Sequence, residues 1–476
     1  MREKCGIVAA YSYNNKPVMP IIMGALKALQ HRGQESWGVA APNQSPYKKL
    51  GLVTDYQYDF LHVIRSIVTN IGIGHVRYST IGTSDFRNVQ PIQIERDFFI
   101  AHNGTITNST ELEMTLGNKT SSPTWASDTH LVGLRLLQIL KNNNNDWINS
   151  LEILSKELVG AYCFVILTNN EEIYVIRDDK GFRPLCIGSH KDSDTVIVSS
   201  ESCALSILDA EFERDIKPGE ILRINKDGVQ SHIFSQQENH AHCAFEYTYF
   251  AHPSSCIEGR SVYLTRKNVG KELVKRYPLE GDIVIPVPDS ARPAALGFAQ
   301  ESGLPFDEGL LKDRYGRKGG LRSFIQPTAE DRLKVTRTII PLIEVIKGKN
   351  IIVIDDSIVR GTSSKQIVKY LHNAGAKTIK LLSTFPPITH PCYAGIDFPT
   401  QNELVAFNEN NEISTIEEIN EKVAQILRID FVGYNSIEGL CKGIGLPRNE
   451  LCLSCVTGDY QCLKKEPIID KRKLIK

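Results

Sequence analysis

Hydrophobic and polar positions alternate in short runs through the first half of the chain. Residues 70–80 (NIGIGHVRYST), 97–108 (DFFIAHNGTITN), 160–179 (GAYCFVILTNNEEIYVIRDD) and 194–202 (DTVIVSSES) read as strands broken by polar turns. Helical periodicity appears between them, at roughly 18–31, 127–141 and 146–158. The KNNNND run at 141–146 predicts the loop that ends one of these helices. The second half follows another pattern. Residues 281–290 (GDIVIPVPDS) and 349–361 (KNIIVIDDSIVRG) are solid β-branched blocks that end in acidic or small polar residues, each followed by a helical segment. Such blocks suit buried parallel strands with ligand loops at their C-terminal ends. The polar stretch FSQQENHAH, near 235–240, marks the boundary between the two patterns.

Composition narrows the class. The 476 residues are 41% hydrophobic and 23% charged, with 55 basic and 55 acidic side chains, so no net basic field points to nucleic acid. No apolar run approaches the roughly 18 residues of a membrane span, and the N-terminus lacks the apolar core of a signal peptide. A soluble, cytoplasmic protein with reduced thiols is expected. Eleven cysteines is then a high and odd count for a chain without structural disulfides, so some of them are expected to do chemistry or bind metal.

The sharpest motif of the second half is VIDDSIVRGTSSK, 353–365. Asp355 and Asp356 at a strand end can hold ribose hydroxyls or a divalent cation. Gly361 lets the backbone turn and bring N–H groups close to an anion. Thr362, Ser363 and Ser364 add hydroxyls where the next helix opens and its dipole favours phosphate. On spacing alone an ordinary strand-turn-helix with an Asp pair near its cap remains open. The sequence is not a Walker A loop. It resembles the phosphoribosyl pyrophosphate (PRPP) loop of type I phosphoribosyltransferases, and PVPDSAR (286–292) resembles their companion loop near pyrophosphate and Mg²⁺. The resemblance makes Asp355, Asp356, Ser357, Arg360, Gly361, Thr362, Ser363 and Ser364 PRPP contacts, with Ser290, Asp355 and Asp356 around Mg²⁺.

In the first half, the chain begins MREKCGIVAA. A thiol needs a base to become a good nucleophile. If residues 1–4 are removed, Cys5 carries its own base, an α-amino group with a pKa of roughly 7.7–8.0. Alone, the motif fits a small buried core cysteine equally well. HNGTITN places Asn103 and Gly104 together, offering a side-chain amide and a backbone N–H to an oxyanion. GHVRYST offers Arg77 to a carboxylate, and SDTH offers Asp128 to an ammonium. An amino acid has both groups, and glutamine adds an amide to hydrolyse.

Together these segments resemble the glutamine PRPP amidotransferase family. The likeness runs from Cys5 to about Tyr460, through RGQES, HVRYST, NVQPI, HNG, GFRPL, PGEIL, PVPDS, FIQPT, DDSIVRGT and HPCYAGID. It implies an N-terminal-nucleophile αββα glutaminase sandwich over 5–238, after a leader 1–4 that is removed. A type I phosphoribosyltransferase domain with a parallel α/β sheet is implied over 239–476. The implied reaction is glutamine hydrolysis at Cys5 and transfer of ammonia to PRPP, giving 5-phosphoribosylamine, pyrophosphate and glutamate. Other N-terminal-cysteine amidotransferases, those of glucosamine 6-phosphate or asparagine synthesis, do not use PRPP and do not account for DDSIVRGT. A PRPP-sensing regulator with a vestigial glutaminase is disfavoured by the intact Cys5, Arg77, Asn103 and Asp128.

CLSC (452–455) by itself fits a zinc site, a redox dithiol, an iron–sulfur ligand pair or two unligated thiols. Branches of the family carry a [4Fe–4S] cluster in contexts matching HCAFEY, HPCYAGI and this CLSC. The resemblance therefore assigns Cys243, Cys392, Cys452 and Cys455 as ligands, and leaves Cys163, Cys186, Cys203, Cys256, Cys441 and Cys462 as core or surface thiols. It also implies purine nucleotide feedback inhibitors, a homo-oligomer (a tetramer), and one Mg²⁺ and one cluster in each subunit. The match departs at DRYGRKGGLRSFIQP, which is longer than the family's loop around Lys318-Gly319-Gly320. There Lys312, Arg314, Arg322 and Arg332 are candidate pyrophosphate contacts. His130 stands where the family often has Glu.

Overall fold

The computed structural model describes residues 4–54, 57–78, 86–117, 127–312, 339–396, 400–407 and 415–460. Among these, the chain forms two compact units. One comprises the residues up to His242 with 393–396 and Tyr460; the other comprises those from Cys243 to Cys392 and 400–459. No helix among the described residues is long and apolar enough to cross a membrane.

The first unit is built on two antiparallel sheets. The seven-stranded sheet runs, edge to edge, Glu211–Asp215, Cys186–His190, Thr195–Ser199, Lys4–Ser12, Ile71–Tyr78, Ser36–Ala40 and Tyr47–Leu50. The six-stranded sheet runs Gly228–Ile233, Glu220–Asn225, Ile173–Arg177, Gly160–Thr168, Phe98–Ile106 and Ile92–Ile94. Strand periodicity of two decides how they stack. Ile7, Ala9 and Tyr11 pack against Phe99 and Ala101 of the other sheet. Their neighbours Val8 and Ala10 face away, onto Ile22, Met23 and Leu26 of the helix Met19–Ala28. On the far side Phe98 and Ile100 meet Val132, Leu136 and Leu151 of the helices Asp128–Asn142 and Trp147–Glu157. The layers are therefore αββα, as the family resemblance implies. Both faces of the central strands are buried, which is why residues 5–11 are apolar or small without a polar alternate.

The predicted helices are present, and the first continues past Ala28 into a 3₁₀ turn over Leu29–His31. The KNNNND run does end a helix: Asn144 and Asn145 take positive φ (51° and 58°), and Asp146 caps the next helix by accepting from Asn149 N–H at 3.1 Å. The strands Ser36–Ala40 and Tyr47–Leu50 have no counterpart in the alternation pattern, because the first is buried at every residue.

The second unit holds a four-stranded parallel sheet in the order Ile283–Pro286, Asn350–Asp355, Thr378–Ser383, Phe431–Tyr434. Ile285, Val353 and Leu381 face the helices Thr362–Asn373 and Ile416–Leu427. Val284, Ile352 and Leu382 face the helix Arg292–Ser302 on the opposite side. Two-sided burial explains the solid apolar blocks read in the sequence.

Candidate active sites

The interior rows of the sandwich change character at one end. Cys5 continues the row of Ile7 and Ala9, and Asn103 continues the row of Phe99 and Ala101. Arg77 lies directly opposite Cys5 in the adjacent strand, and Ser36 lies opposite Arg77 in the next. His75 is two residues along from Arg77 on the same face, with Nε2 3.2 Å from His102 O. Apolar contact between the sheets thus gives way to Cys5, Ser36, His75, Arg77 and Asn103, all buried. Several of their polar atoms have no hydrogen-bond partner among the described residues: Ser36 Oγ, His75 Nδ1, Arg77 Nε, and both Oδ1 and Nδ2 of Asn103. Buried polar atoms are nearly always paired, so such a row calls for an explanation.

The neighbours of this row are fixed. Arg77 Nη1 donates to Glu35 Oε1 at 3.1 Å. Gly104 has φ +149°, and a Cβ there would meet Ala161 O at 2.0 Å, so only glycine fits. Asp128, at the start of its helix, accepts from Ile106 N–H (2.9 Å) on Oδ2, and from Thr129 N–H (2.7 Å) and Thr129 Oγ1 (3.4 Å) on Oδ1. Oδ2 keeps a further lone pair. Burial pushes the Cys163 and Cys186 thiols up, as suits core cysteines. The turn 29–36, quoted for its likeness alone, proves to line this end: Gly33 lies so close to the Arg77 strand that a Cβ would meet Val76 C at 2.4 Å. The Arg-Gly pair inside a polar run was the available signal.

In the second unit, Asp355 ends its strand and the loop to Thr362 follows. Asp355 Oδ1 accepts from Asp356 N–H at 2.9 Å. Burial, and then the adjacent Asp356 carboxylate, push the Asp355 carboxyl well above the usual range, the mark of an acidic pair short of positive charge. Asp356 accepts from Ser290 Oγ (2.5 Å) and Ser357 Oγ (2.7 Å), so the structure brings the two predicted loops together. Gly361 takes φ +71° at the helix cap, and Ser364 is buried in the first turn. Arg360 is held by Glu403, with Nε and Nη2 each 2.6 Å from Oε2. Lys312 Nζ lies 3.5 Å from Asp289 Oδ2, and Arg292 bridges Asp289 (2.6 Å) and Glu308 (2.8 Å). Arg292 closes the PVPDSAR motif without having been given a role, and Glu308 and Glu403 were missed because their spacing from the motifs carries no pattern. Arg314, Arg322 and Arg332 lie outside the described residues, as does Cys462.

The four candidate ligand cysteines also converge. The Cys455 thiol is pushed well up by burial and by the nearby Cys392, Cys452 and Cys243. The backbone explains the approach: Thr389 N–H and His390 N–H both donate to Cys455 O at 3.1 Å, and Thr389 Oγ donates to Val456 O at 3.0 Å. Four converging thiols are the type and number of ligands that an iron–sulfur cluster takes, and a tetrahedral zinc ion takes the same set.

Comparison with known proteins agrees with this division. Residues 75–206 match the model of a glutamine amidotransferase domain, and residues 266–394 that of a phosphoribosyl transferase domain. The amidophosphoribosyltransferase of Methanocaldococcus jannaschii is 42% identical, over 96% of this chain and 97% of its own length. That of Bacillus subtilis is 37% identical, over 97% of this chain and 94% of its own. Among solved structures, glutamine PRPP amidotransferase from B. subtilis complexed with ADP and GMP superposes with a TM-score of 0.82 at 36% identity, covering 96% of this chain and 97% of that one. A structure of the allosteric regulatory enzyme of purine biosynthesis gives 0.84 at 36% identity, covering 98% and 99%. The chain belongs to the amidophosphoribosyltransferase family, enzymes of purine biosynthesis that aminate PRPP with nitrogen from glutamine.

Proposed function

We propose that glutamine is hydrolysed at the polar end of the sandwich and that PRPP is held by the Asp355–Ser364 segment. Residues 1–4 are removed, and the exposed α-amino group of Cys5 takes the thiol proton as Sγ attacks the glutamine amide carbon. Asn103 and the Gly104 N–H meet the tetrahedral oxyanion. Collapse breaks the C–N bond, returns the proton to the departing nitrogen and leaves a thioester, which water cleaves to glutamate. Arg77 receives the α-carboxylate and Asp128 the α-ammonium. Ammonia then attacks the anomeric carbon of PRPP, and pyrophosphate leaves.

On the PRPP side, Asp355 and Asp356 hold the ribose. Ser357, Gly361, Thr362, Ser363 and Ser364 hold the 5′-phosphate, and Arg360, tied to Glu403, shapes that loop. Lys312, Arg314 and Arg322 face pyrophosphate. Ser290, Asp355 and Asp356 would hold Mg²⁺, which supplies charge compensation to the leaving group when bound. Cys243, Cys392, Cys452 and Cys455 would hold a [4Fe–4S] cluster with a structural role. A cytoplasmic homotetramer inhibited by purine nucleotides completes the reading; the last point is supported by the ADP and GMP on the B. subtilis relative.

The observation that carries the glutaminase assignment is the row of unpartnered polar atoms beside Cys5, above all the Asn103 amide, buried with neither end bonded. The test is Cys5→Ala assayed with two nitrogen donors. Glutamine-dependent synthesis should disappear while ammonia-dependent synthesis from PRPP persists. Loss of both, with the fold intact, would refute the division.

A further inference from the structure

A buried cluster behind Cys5 has no part in that scheme. Ile7 lies beyond the end of the neighbouring strand at Ser199: its N–H donates to Ser200 Oγ (2.9 Å) and its carbonyl accepts from Ser200 N–H (3.1 Å). Residues two apart on a strand direct their backbone groups to the same edge, so the Cys5 carbonyl faces the space past that strand end. Arg32 fills the space. Its Nε donates to Cys5 O at 3.0 Å, and its Nη1 reaches Glu201 Oε1 at 2.5 Å. His31 Nε2 lies 2.8 Å from the same Oε1, with its Nδ1 3.1 Å from Ala28 O. Cys203 Sγ lies 3.7 Å from Glu201 Oε2. Arg32 and Glu201 are 4% and 1% exposed.

Two roles suit this cluster. The ligand atoms of His31, Glu201 and Cys203 fall within 4.8 Å of one another, as a metal site requires. Yet the oxygen that faces His31 already holds the Arg32 guanidinium, and a metal cation there would meet a fixed positive charge in a dry interior. The contacts instead form a chain that ends on the Cys5 backbone. A long arginine has many rotamers, and a buried carboxylate at charge-assisted distance selects one. Arg32 so held fixes the peptide plane after Cys5, and with it the direction of the Cα–Cβ bond, at a strand end that lacks its ladder on one side. Gly33, pressed against the Arg77 strand, anchors the same turn from the other side.

We propose that Glu201, backed by His31, is a positioning residue that aims Cys5 through Arg32. The proposal rests on Cys5 being the nucleophile. Displacing a reacting group by an ångström can cost on the order of a hundredfold in rate without touching the substrate's other contacts.

The test compares Glu201→Gln, which keeps length and loses charge, with Glu201→Asp, which keeps charge and shortens the reach. Active protein beginning at Cys5 is assayed for glutamine kcat and KM, for ammonia-dependent synthesis, and for alkylation of Cys5 by iodoacetamide, with Cys5→Ala alongside. Glu201→Gln should lower glutamine-dependent kcat about tenfold to a hundredfold and slow alkylation, with KM and the ammonia-dependent rate held within about threefold. Glu201→Asp should restore part of the kcat. Wild-type kcat in Glu201→Gln, a rise in KM that accounts for the loss, or joint loss of the ammonia reaction would overturn the proposal. If Glu201→Gln does not fold, Glu201→Asp decides alone, and an unchanged kcat there overturns it. Glutamine-dependent activity surviving in Cys5→Ala would instead remove the nucleophile assignment, whatever Glu201 does.

Discussion

At the polar end of the sandwich, Asn103, Arg77, His75 and Ser36 keep buried atoms without partners. At the strand-loop-helix of the second unit, Asp356 already accepts from two hydroxyls and Arg360 is tied to Glu403. The first arrangement stores a cost: each buried group left unbonded destabilises the fold by roughly 1–3 kcal/mol. A ligand that supplies the missing partners recovers it, so such a site is made ready before its ligand arrives. In the second arrangement the Asp356 and Arg360 side chains are already bonded, although the acid pair lacks positive charge, so a ligand there must exchange one set of bonds for another. A fixed cradle suits an oxyanion that exists only in the transition state. A loop that trades internal bonds suits a substrate that brings its own charge and metal.

The contrast can be broken first at Asn103. Asn103→Leu is near in volume and removes the orphaned amide. Glutamine-dependent kcat should fall on the order of 100–1,000-fold, while thermal stability stays level or rises. A variant that loses stability along with activity would mean that the amide is bonded and structural. In the already bonded loop the signs reverse. Asp356→Asn should lower PRPP use about tenfold or more with either nitrogen donor, and should also lower stability, because it disturbs bonds already made. Glutamine hydrolysis without PRPP should change little. Unaltered PRPP affinity would remove Asp356 from the site.

The converging cysteines give the next test. Cys452→Ser should lose iron from anaerobically purified protein, whereas Cys441→Ser, a half-buried thiol outside the assigned set, should keep it. Equal iron in both, or stoichiometric zinc, would contradict the assignment. The smallest effect concerns Lys48, on the edge strand Tyr47–Leu50 of the first unit. Burial holds its ammonium down at about 8 against an ordinary 10.5. The unfolded chain therefore binds the extra proton between these values, and this contribution to stability rises with pH across that window. Lys48→Met should be more stable than wild type below pH 8, by about 1–2 kcal/mol, with the gap closing toward pH 10.5. A gap independent of pH would mean that Lys48 is not desolvated.

Legibility in the sequence followed the same divide. The parallel core was readable because strands buried on both faces leave solid apolar blocks, as at 351–354. The acid pair that follows stood next to them in the chain, so one motif carried that site. The sandwich strands were readable where polar turns cut them, and unreadable at Ser36–Ala40, where every residue is buried. The glutaminase end was harder still. Cys5, Arg77 and Asn103 come from three strands; register pairs the first two, and only the stacking of the two sheets brings Asn103 to face them. Arg32 and Glu201 are 169 positions apart and meet through a turn and a strand end, for which sequence offers no periodic signal. The likeness to a family supplied what spacing alone could not.

The central claim is that Cys5, freed of residues 1–4, is the nucleophile of a glutaminase whose chemistry is separable from PRPP amination. Treating the active protein with an electrophilic glutamine analogue and mapping the adduct by peptide mass tests it most directly. The account predicts a single adduct on a peptide that begins at Cys5, in protein that has lost the glutamine reaction and kept the ammonia reaction. An adduct on another cysteine, or a fully active chain that still begins at Met1, would contradict it.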